Sequence, residues 1–351
     1  MGTLTGKYGA IYLPTGTGTL SSGTNNREAV AFISGYGTTS NRNIEIESIW
    51  TAASGGTEVT DYYYTTDGFI KRTTATTGTL YVRYYYWTDD DDMSEVGSFF
   101  EWNLEAKVDV HNITDFASTG GAKEFMSGLT SWKVTAKKYW IDSESIDEYL
   151  ESGSEFDNIP FVARFYVDDN STERNTQYEG LCFISGLKVD QKIDGLVTAD
   201  VTFQGTAKGK SRLAYTTESI LTDGAMASDD TYWTAADDFS LDGGASYEDS
   251  ANSGTLTQAY GDYGITAKAS KVYRLQYDYG HTADKDPVTL TVTSGFASTA
   301  WDISQNTTGT YVKYILAKSS AATEDFVISA TSGAADTFTL DNIYLQEVTI
   351  I

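Results

Sequence analysis

One cysteine, three prolines and two histidines stand in 351 residues, and each shortage excludes a class of protein. Cys182, being alone, cannot build a disulfide framework within the chain, and in Leu181-Cys182-Phe183-Ile184 it reads as a small core hydrophobe. With Pro14, Pro160 and Pro287 as the full complement and 13% aromatic residues, proline-rich disorder is a poor description. His111 and His281 lie far apart in sequence, and no pattern pairs either with a serine or a cysteine. There is no G-x-S-x-G elbow and no phosphate-binding Walker loop, and Gly16-Thr17-Gly18 lacks the third glycine and the helix of a dinucleotide fingerprint. A pair of carboxylates leaves no sequence signature, so the expectation that the chain is not an enzyme, and carries no cofactor, rests on the other absences.

Basic residues are also scarce, 24 against 49 acidic. Up to Tyr215 there are 18 basic and 30 acidic residues, and beyond it 6 and 19, so both halves carry a similar net negative charge. Nucleic-acid binding by phosphate neutralisation needs clustered Lys and Arg, which neither half has. No stretch approaches the roughly 20 apolar residues of a membrane span, and the start lacks the charged segment and apolar core of a signal peptide. Cytoplasmic synthesis without a membrane span is the expectation.

What the chain does have is Gly, Thr, Ser and Tyr, with few runs of strong helix formers. That is the composition of a mainly β protein, and 351 residues exceed the size at which single cores stop growing. Residues 1–27 contain no acid and only Lys7 and Arg27 as bases, and read as an extended arm. Residues 28–210 carry clear strand alternation: Trp102-Leu104-Ala106-Val108-Val110, Trp132-Val134-Ala136, Phe161-Ala163-Phe165-Val167 and Val197-Ala199-Val201-Phe203 each recur with a period of two. Within this span, residues 51–98 read as a long Tyr-rich hairpin insertion whose aromatic faces seek a partner, with Tyr62-Tyr63-Tyr64, the run from Tyr81 to Trp87, and Asp89 to Asp92 in a solvated loop. Two short helices are expected, Gly121 to Ser127 and Ser143 to Ser152, each ended by a glycine. Residues 211–221 change register as a linker. Residues 222–351 form a second β module, marked by Tyr273-Leu275-Tyr277-Tyr279, Val288-Leu290-Val292, Val312-Tyr314-Leu316 and Phe326-Ile328, a spacing that suits a sandwich or jelly roll.

The stretch Phe125-Met126-Ser127-Gly128-Leu129-Thr130-Ser131-Trp132-Lys133-Val134-Thr135 has Asp109, His111, Thr114 and Asp115 upstream and Asp142 downstream. With the run Gly186-Leu187-Lys188-Val189-Asp190 and the closing Phe203-Gln204-Gly205-Thr206, it resembles the central part of siphophage major tail proteins. The likeness spans about residues 1–210 and lies in element order, hydrophobic pattern and turns. It implies a tail-tube-type β-sandwich/barrel with one or two short helices. It also implies self-assembly into hexameric rings stacked as a tube, and as partners the tape-measure, tail-terminator and baseplate proteins. Viral DNA would pass through an acidic channel without specific binding, and the chain would belong to the virion.

Asp223-Gly224, Tyr232-Trp233, Tyr273-Arg274-Leu275 and Phe338-Thr339-Leu340-Asp341-Asn342-Ile343-Tyr344-Leu345 resemble the opening and closing strands of carbohydrate-binding, galactose-binding-like jelly rolls. That likeness implies a structural calcium with Asp223 and Asp341 as its matching positions. It also implies weak contact with cell-surface glycans through exposed aromatics, for which Trp233, Tyr247 and Trp301 are the candidates. A secreted or surface carbohydrate-binding protein, and a phage fibre or baseplate component, are the rival readings.

Overall fold

The computed structural model describes residues 10–14, 19–20, 27–39, 42–75, 77–86, 93–95, 99–112, 125–139, 160–167, 176–190, 197–206, 210–226, 231–241, 244–248, 253–281, 288–293, 295–298, 301–305, 308–331 and 337–351. It is mainly β, built from antiparallel sheets that form no closed barrel among the described residues. The chain divides into two compact units, one of residues 1–168, 178–213 and 351, the other of residues 169–177 and 214–350. Among the described residues no helix is long and apolar enough to cross a membrane.

The strands of the N-terminal unit are, in chain order, β1 (Ala10–Pro14), β2 (Thr19–Leu20), β3 (Glu28–Phe32), β4 (Tyr36–Thr38) and β5 (Ile44–Trp50). Next come β6 (Glu58–Val59), β7 (Tyr62–Tyr64), β8 (Phe69–Arg72), β9 (Gly78–Tyr86) and β10 (Met93–Glu95). The long strands follow: β11 (Phe99–Asn112), β12 (Phe125–Tyr139), β13 (Phe161–Tyr166), β14 (Gln177–Asp190) and β15 (Thr198–Gly205).

The main sheet of this unit runs β10-β1-β13-β14-β15-β12-β11. Its inward side chains form one core, with Trp132, Val134 and Ala136 of β12, Phe161, Ala163 and Phe165 of β13, and Val201 and Phe203 of β15. The period of two read from the sequence is the physical cause, because it puts every second residue of each strand on the same face. A glycine is required at one place above all. A Cβ on Gly205 would lie 2.2 Å from the Trp132 ring, and one on Gly180 would lie 2.6 Å from it, so the indole fits only where both neighbours lack a side chain.

Two expectations are corrected in this unit. Phe125, Met126 and Ser127 lie in β12 and pair with Asn112, His111 and Val110, so the end of the first expected helix is strand. Pairing with β11 gives this stretch a cross-strand ladder in place of a single helical turn. The second expected helix, residues 143–152, and the acidic run 89–92 lie outside the described residues. The single long hairpin over 51–98 is replaced by a lobe that begins earlier. Strand β9 pairs with β5 (Trp50↔Tyr81) and β3 (Ala29↔Tyr81), and β4-β8-β7 make a second small sheet. Tyr62, Tyr64 and Tyr84, expected to seek an outside partner, are buried in the lobe's own core with Ile44, Ile46 and Val82.

Between the lobe core and the sheet core lies a buried polar knot. Arg164 of β13 donates from Nε to Glu179 of β14 at 2.5 Å and from Nη2 to Asn43 at 3.0 Å, and Thr66 donates to Glu179 at 2.5 Å. Glu179 outweighs the cost of desolvation and holds the Arg164 guanidinium more firmly charged than an ordinary arginine. Strand β13 is therefore buried on both faces, where the alternation alone predicts a wet side. A desolvated ion pair of this kind adds little stability over apolar packing but strongly favours one arrangement.

The C-terminal unit continues with β16 (Ala214–Ser219), β17 (Trp233–Asp237), β18 (Phe239–Leu241), β19 (Ala245–Glu248), β20 (Ser253–Gln258) and β21 (Val272–His281). It closes with β22 (Val288–Val292), β23 (Trp301–Gln305), β24 (Gly309–Leu316), β25 (Phe326–Thr331) and β26 (Thr337–Ile350). One sheet is centred on β26, which pairs with β16, β19 and β21, while β21 also pairs with β24. The other runs β17-β20-β25-β22-β23. Between them lies a single core in which Phe338 stacks on Tyr247 at 4.6 Å and packs against Tyr279 and Phe239.

Candidate assembly surface

Strand β11 is the feature of the N-terminal unit that faces outward without finishing. It is 14 residues long, about 46 Å at the usual rise per residue, and among the described residues it pairs with β12 alone. Irregular register falls near its two ends, between Phe99 and Glu101 and between Val108 and Val110, which leaves a regular border from Glu101 to Val108. A long regular edge presents a row of unpaired amide and carbonyl groups, and a second strand can add to it. At the opposite border of the same sheet, β10 pairs, among the described residues, only with β1.

The wet face beside this border is laced with ion pairs. Lys137 meets Glu101 at 3.0 Å, Lys133 meets Glu105 at 2.9 Å, Lys107 also reaches Glu105, and Lys188 meets Asp190 at 2.6 Å. Hydrogen bonds from Lys107 and Lys133 hold the Glu105 carboxyl down to about 2. At the end of the same face Phe100 and Tyr139 are exposed and lie ring against ring at 4.7 Å. No residue of this surface was singled out as a site by sequence reasoning; the alternation identified the strands, but which of them forms the border is a matter of long-range pairing.

The residues that sequence reasoning did single out fall in the C-terminal unit. Trp233 and Tyr247 are in the core, 1% and 0% exposed, and the Trp233 indole nitrogen donates to the Asp223 carbonyl at 2.9 Å. Neither presents a ring to a sugar, which corrects their candidacy for glycan contact: a cross-strand aromatic is worth more inside a sandwich core than on its surface. Trp301 belongs to β23, and its side chain lies outside the described residues.

Asp223 and Asp341 are brought into one neighbourhood. The Gly224 carbonyl accepts from the Ile343 amide at 2.8 Å, which holds the opening segment against the closing strand. Burial pushes the Asp341 carboxyl up, with Asp278 and Asp223 adding to the effect through like charge. A calcium shell needs 6 to 8 oxygens, and the carboxylates here are committed elsewhere. Asp278 accepts from Thr310 at 2.6 Å and from Asn342 at 2.7 Å, and Asp341 accepts from the Asn342 amide at 2.7 Å. Among the described residues no three His, Cys, Asp or Glu side chains gather to hold an ion. The donor set does not fit calcium.

No family model matches the chain, and no curated protein does. Solved structures offer loose likenesses. A chain from "Virion of native gene transfer agent (GTA) particle" is 14% identical over 32% of this chain and 83% of its own, at a TM-score of 0.27. The hub protein Dit of phage SPP1 is 7% identical over 74% of this chain and 97% of its own, at 0.24. The module TmCBM61, solved with β-1,4-galactotriose, is 15% identical over 36% of this chain and 97% of its own, at 0.27.

Proposed function

We propose that this chain is a structural subunit, not an enzyme, of the tail tube of a long-tailed bacteriophage. Its N-terminal units join into six-membered rings that stack around a channel for DNA ejection, and its C-terminal unit decorates the assembly. The observation that carries this reading is the long border of β11. A chain that leaves one long strand half paired at one border, and the short β10 at the other, has two different edges. Joining unlike edges of successive copies is a heterologous contact, which closes into a ring when the rotation allows. The added strand satisfies the backbone groups that the isolated sheet leaves to water.

The ion-paired face suits a lining. Lys107, Lys133, Lys137 and Lys188 are each held by a carboxylate, so they offer a passing phosphate chain no free cation to neutralise. Slipperiness then comes from charges paired on the protein, within an acidic chain. Tape-measure, terminator and baseplate proteins are the partners of such a tube. With Trp233 and Tyr247 enclosed, Trp301 is the candidate that remains for glycan contact by the C-terminal unit.

Negative-stain microscopy of the purified chain at high concentration tests the reading. Six-fold rings or tubes are expected. Trimers or capped rings point instead to a fibre or baseplate component, and single molecules at every concentration, together with measurable glycan affinity, to a carbohydrate-binding protein.

A further inference from the structure

Three cations of the N-terminal unit rest on aromatic rings and not on carboxylates. The Arg27 guanidinium lies 4.2 Å over the Trp50 ring and donates to the Ala52 and Gly55 carbonyls, at 2.8 and 3.0 Å. Lys210 lies 4.5 Å over Tyr62, and Lys71 lies 5.2 Å from Tyr36 and 5.9 Å from Tyr63. Among the described residues no carboxylate reaches any of the three, in a chain that holds twice as many acids as bases. In the ion-paired face beside β11, by contrast, every described lysine of the border has its acid.

Lys71 is the most organised of the three. The register of the small sheet sets Tyr36 of β4 and Tyr63 of β7 directly opposite it on either side, so Tyr36, Lys71 and Tyr63 form one cross-strand row. All three side chains are half-buried. Desolvation opposes the ammonium, but the neighbouring Tyr63 and Tyr36 phenols outweigh it and raise the lysine above its ordinary value. The row thus presents one fixed positive charge between two hydroxyls that can each donate, a complement to a carboxylate. We infer that the Tyr36–Lys71–Tyr63 row is a docking seat for a carboxylate of a second copy of this chain.

The occupant follows from where the charge lies. Through Tyr86 the chain has six basic and six acidic residues, so the whole excess of 25 negative charges belongs to residues 87–351. The neutral lobe of one copy can approach the acidic remainder of another, whereas two acidic surfaces repel. Screening confines such attraction to about 8 Å at physiological salt, so the contact has to be direct. A single exposed pair is weak, and repetition in an assembly multiplies it.

This inference names a contact within the proposed tube and rests on that reading, yet the two can fail separately. Sedimentation velocity of the full chain at 50 and 500 mM NaCl, with microscopy of the same samples, compares wild type with Lys71→Glu, Lys71→Arg and the control Lys268→Ala, whose lysine is paired with Glu347 in the C-terminal unit. Circular dichroism checks that each variant folds. Association is expected to fall at least tenfold in Lys71→Glu, to recover in Lys71→Arg and to stay within twofold in Lys268→Ala, with a weaker salt dependence in Lys71→Glu than in wild type. Tubes formed equally well by Lys71→Glu overturn the inference and leave the tube standing. Association that depends on Lys71 but stops at dimers does the reverse, and a wild type that never associates removes both.

Discussion

Strands β11 and β26 are both 14 residues long, and the two units treat them in opposite ways. In the C-terminal unit β26 runs through the interior of its sheet, with β21 along one side and β16 and β19 along the other, and among the described residues the borders of that sheet are the three-residue β18 and the eight-residue β24. In the N-terminal unit the equally long β11 is placed at the border. A sandwich that puts its longest strand inside has little left to offer a neighbour, and one that puts it outside has a ready template. The first arrangement completes a fold; the second defers part of the pairing to another chain.

The largest expected effect tests the independence of the enclosed unit. Phe338→Ala removes a ring stacked on Tyr247 and packed against Tyr279 and Phe239, at a cost of about 3–5 kcal/mol. In calorimetry only the transition of the C-terminal unit should move, and particles should still form. If both transitions move together, the two units are not separable and the comparison between them collapses.

Gly205→Ala is the counterpart in the open unit. Its methyl would meet the Trp132 ring, so a loss of about 1–3 kcal/mol from overpacking is expected in the N-terminal transition alone. A variant with an unchanged midpoint would show that the indole can move aside and that the cradle is loose.

A smaller effect sharpens the account of the β11 border. The Glu105 carboxyl is depressed from its ordinary 4.5 to about 2, so its favourable contribution is complete above pH 4.5 and is lost as pH falls towards 2. The difference in thermal midpoint between wild type and Glu105→Gln should shrink over that window. A difference that stays constant with pH would mean that Lys107 and Lys133 do not hold the carboxylate in solution.

The smallest effect concerns the acidic neighbourhood of the enclosed unit. Asp341 is raised, so the folded state favours its protonated form; that contribution is present below the ordinary 3.8 and disappears as pH rises through the folded value. Asp341→Asn keeps an oxygen for the Asn342 amide and removes like-charge repulsion, and at pH 7 should change stability by no more than about 0.5 kcal/mol, in the favourable direction. Added calcium should leave the wild-type midpoint unmoved. A midpoint that rises with calcium in wild type and not in Asp341→Asn would restore the metal site.

Period-two patterns made much of this architecture legible in advance. The alternation of Trp102-Leu104-Ala106, Trp132-Val134-Ala136 and Tyr273-Leu275-Tyr277-Tyr279 appears in β11, β12 and β21, because a half-buried strand leaves that mark whatever it pairs with. Pairing itself leaves none. Nothing local tells that Tyr81 meets Trp50 and Ala29, so the lobe read as a hairpin, and the tyrosines that fill its core read as surface. Gly121 to Ser127 read as a helix because a glycine at each end suits one, but the pull of β11 extends strand through Gly128. Trp233 and Tyr247 were chosen for what aromatic rings can do in the open; burial depends on the opposing sheet, which local sequence does not display. The Lys71 row had a faint signal in Tyr62-Tyr63-Tyr64, where the middle residue must face away from its two neighbours.

The knot of Arg164, Glu179, Asn43 and Thr66 sets a condition on any attempt to simplify this molecule. Cutting out residues 28–86 and splicing the chain across the gap would remove Asn43 and Thr66 and open the guanidinium and its carboxylate to a changed surrounding. Arg164 and Glu179 would keep each other, but each hydrogen bond lost to a buried charged group costs about 1.5–3 kcal/mol. A trimmed chain would therefore need both Arg164 and Glu179 exchanged for apolar residues in the same step, so that shortening by deletion alone is the route least open to it.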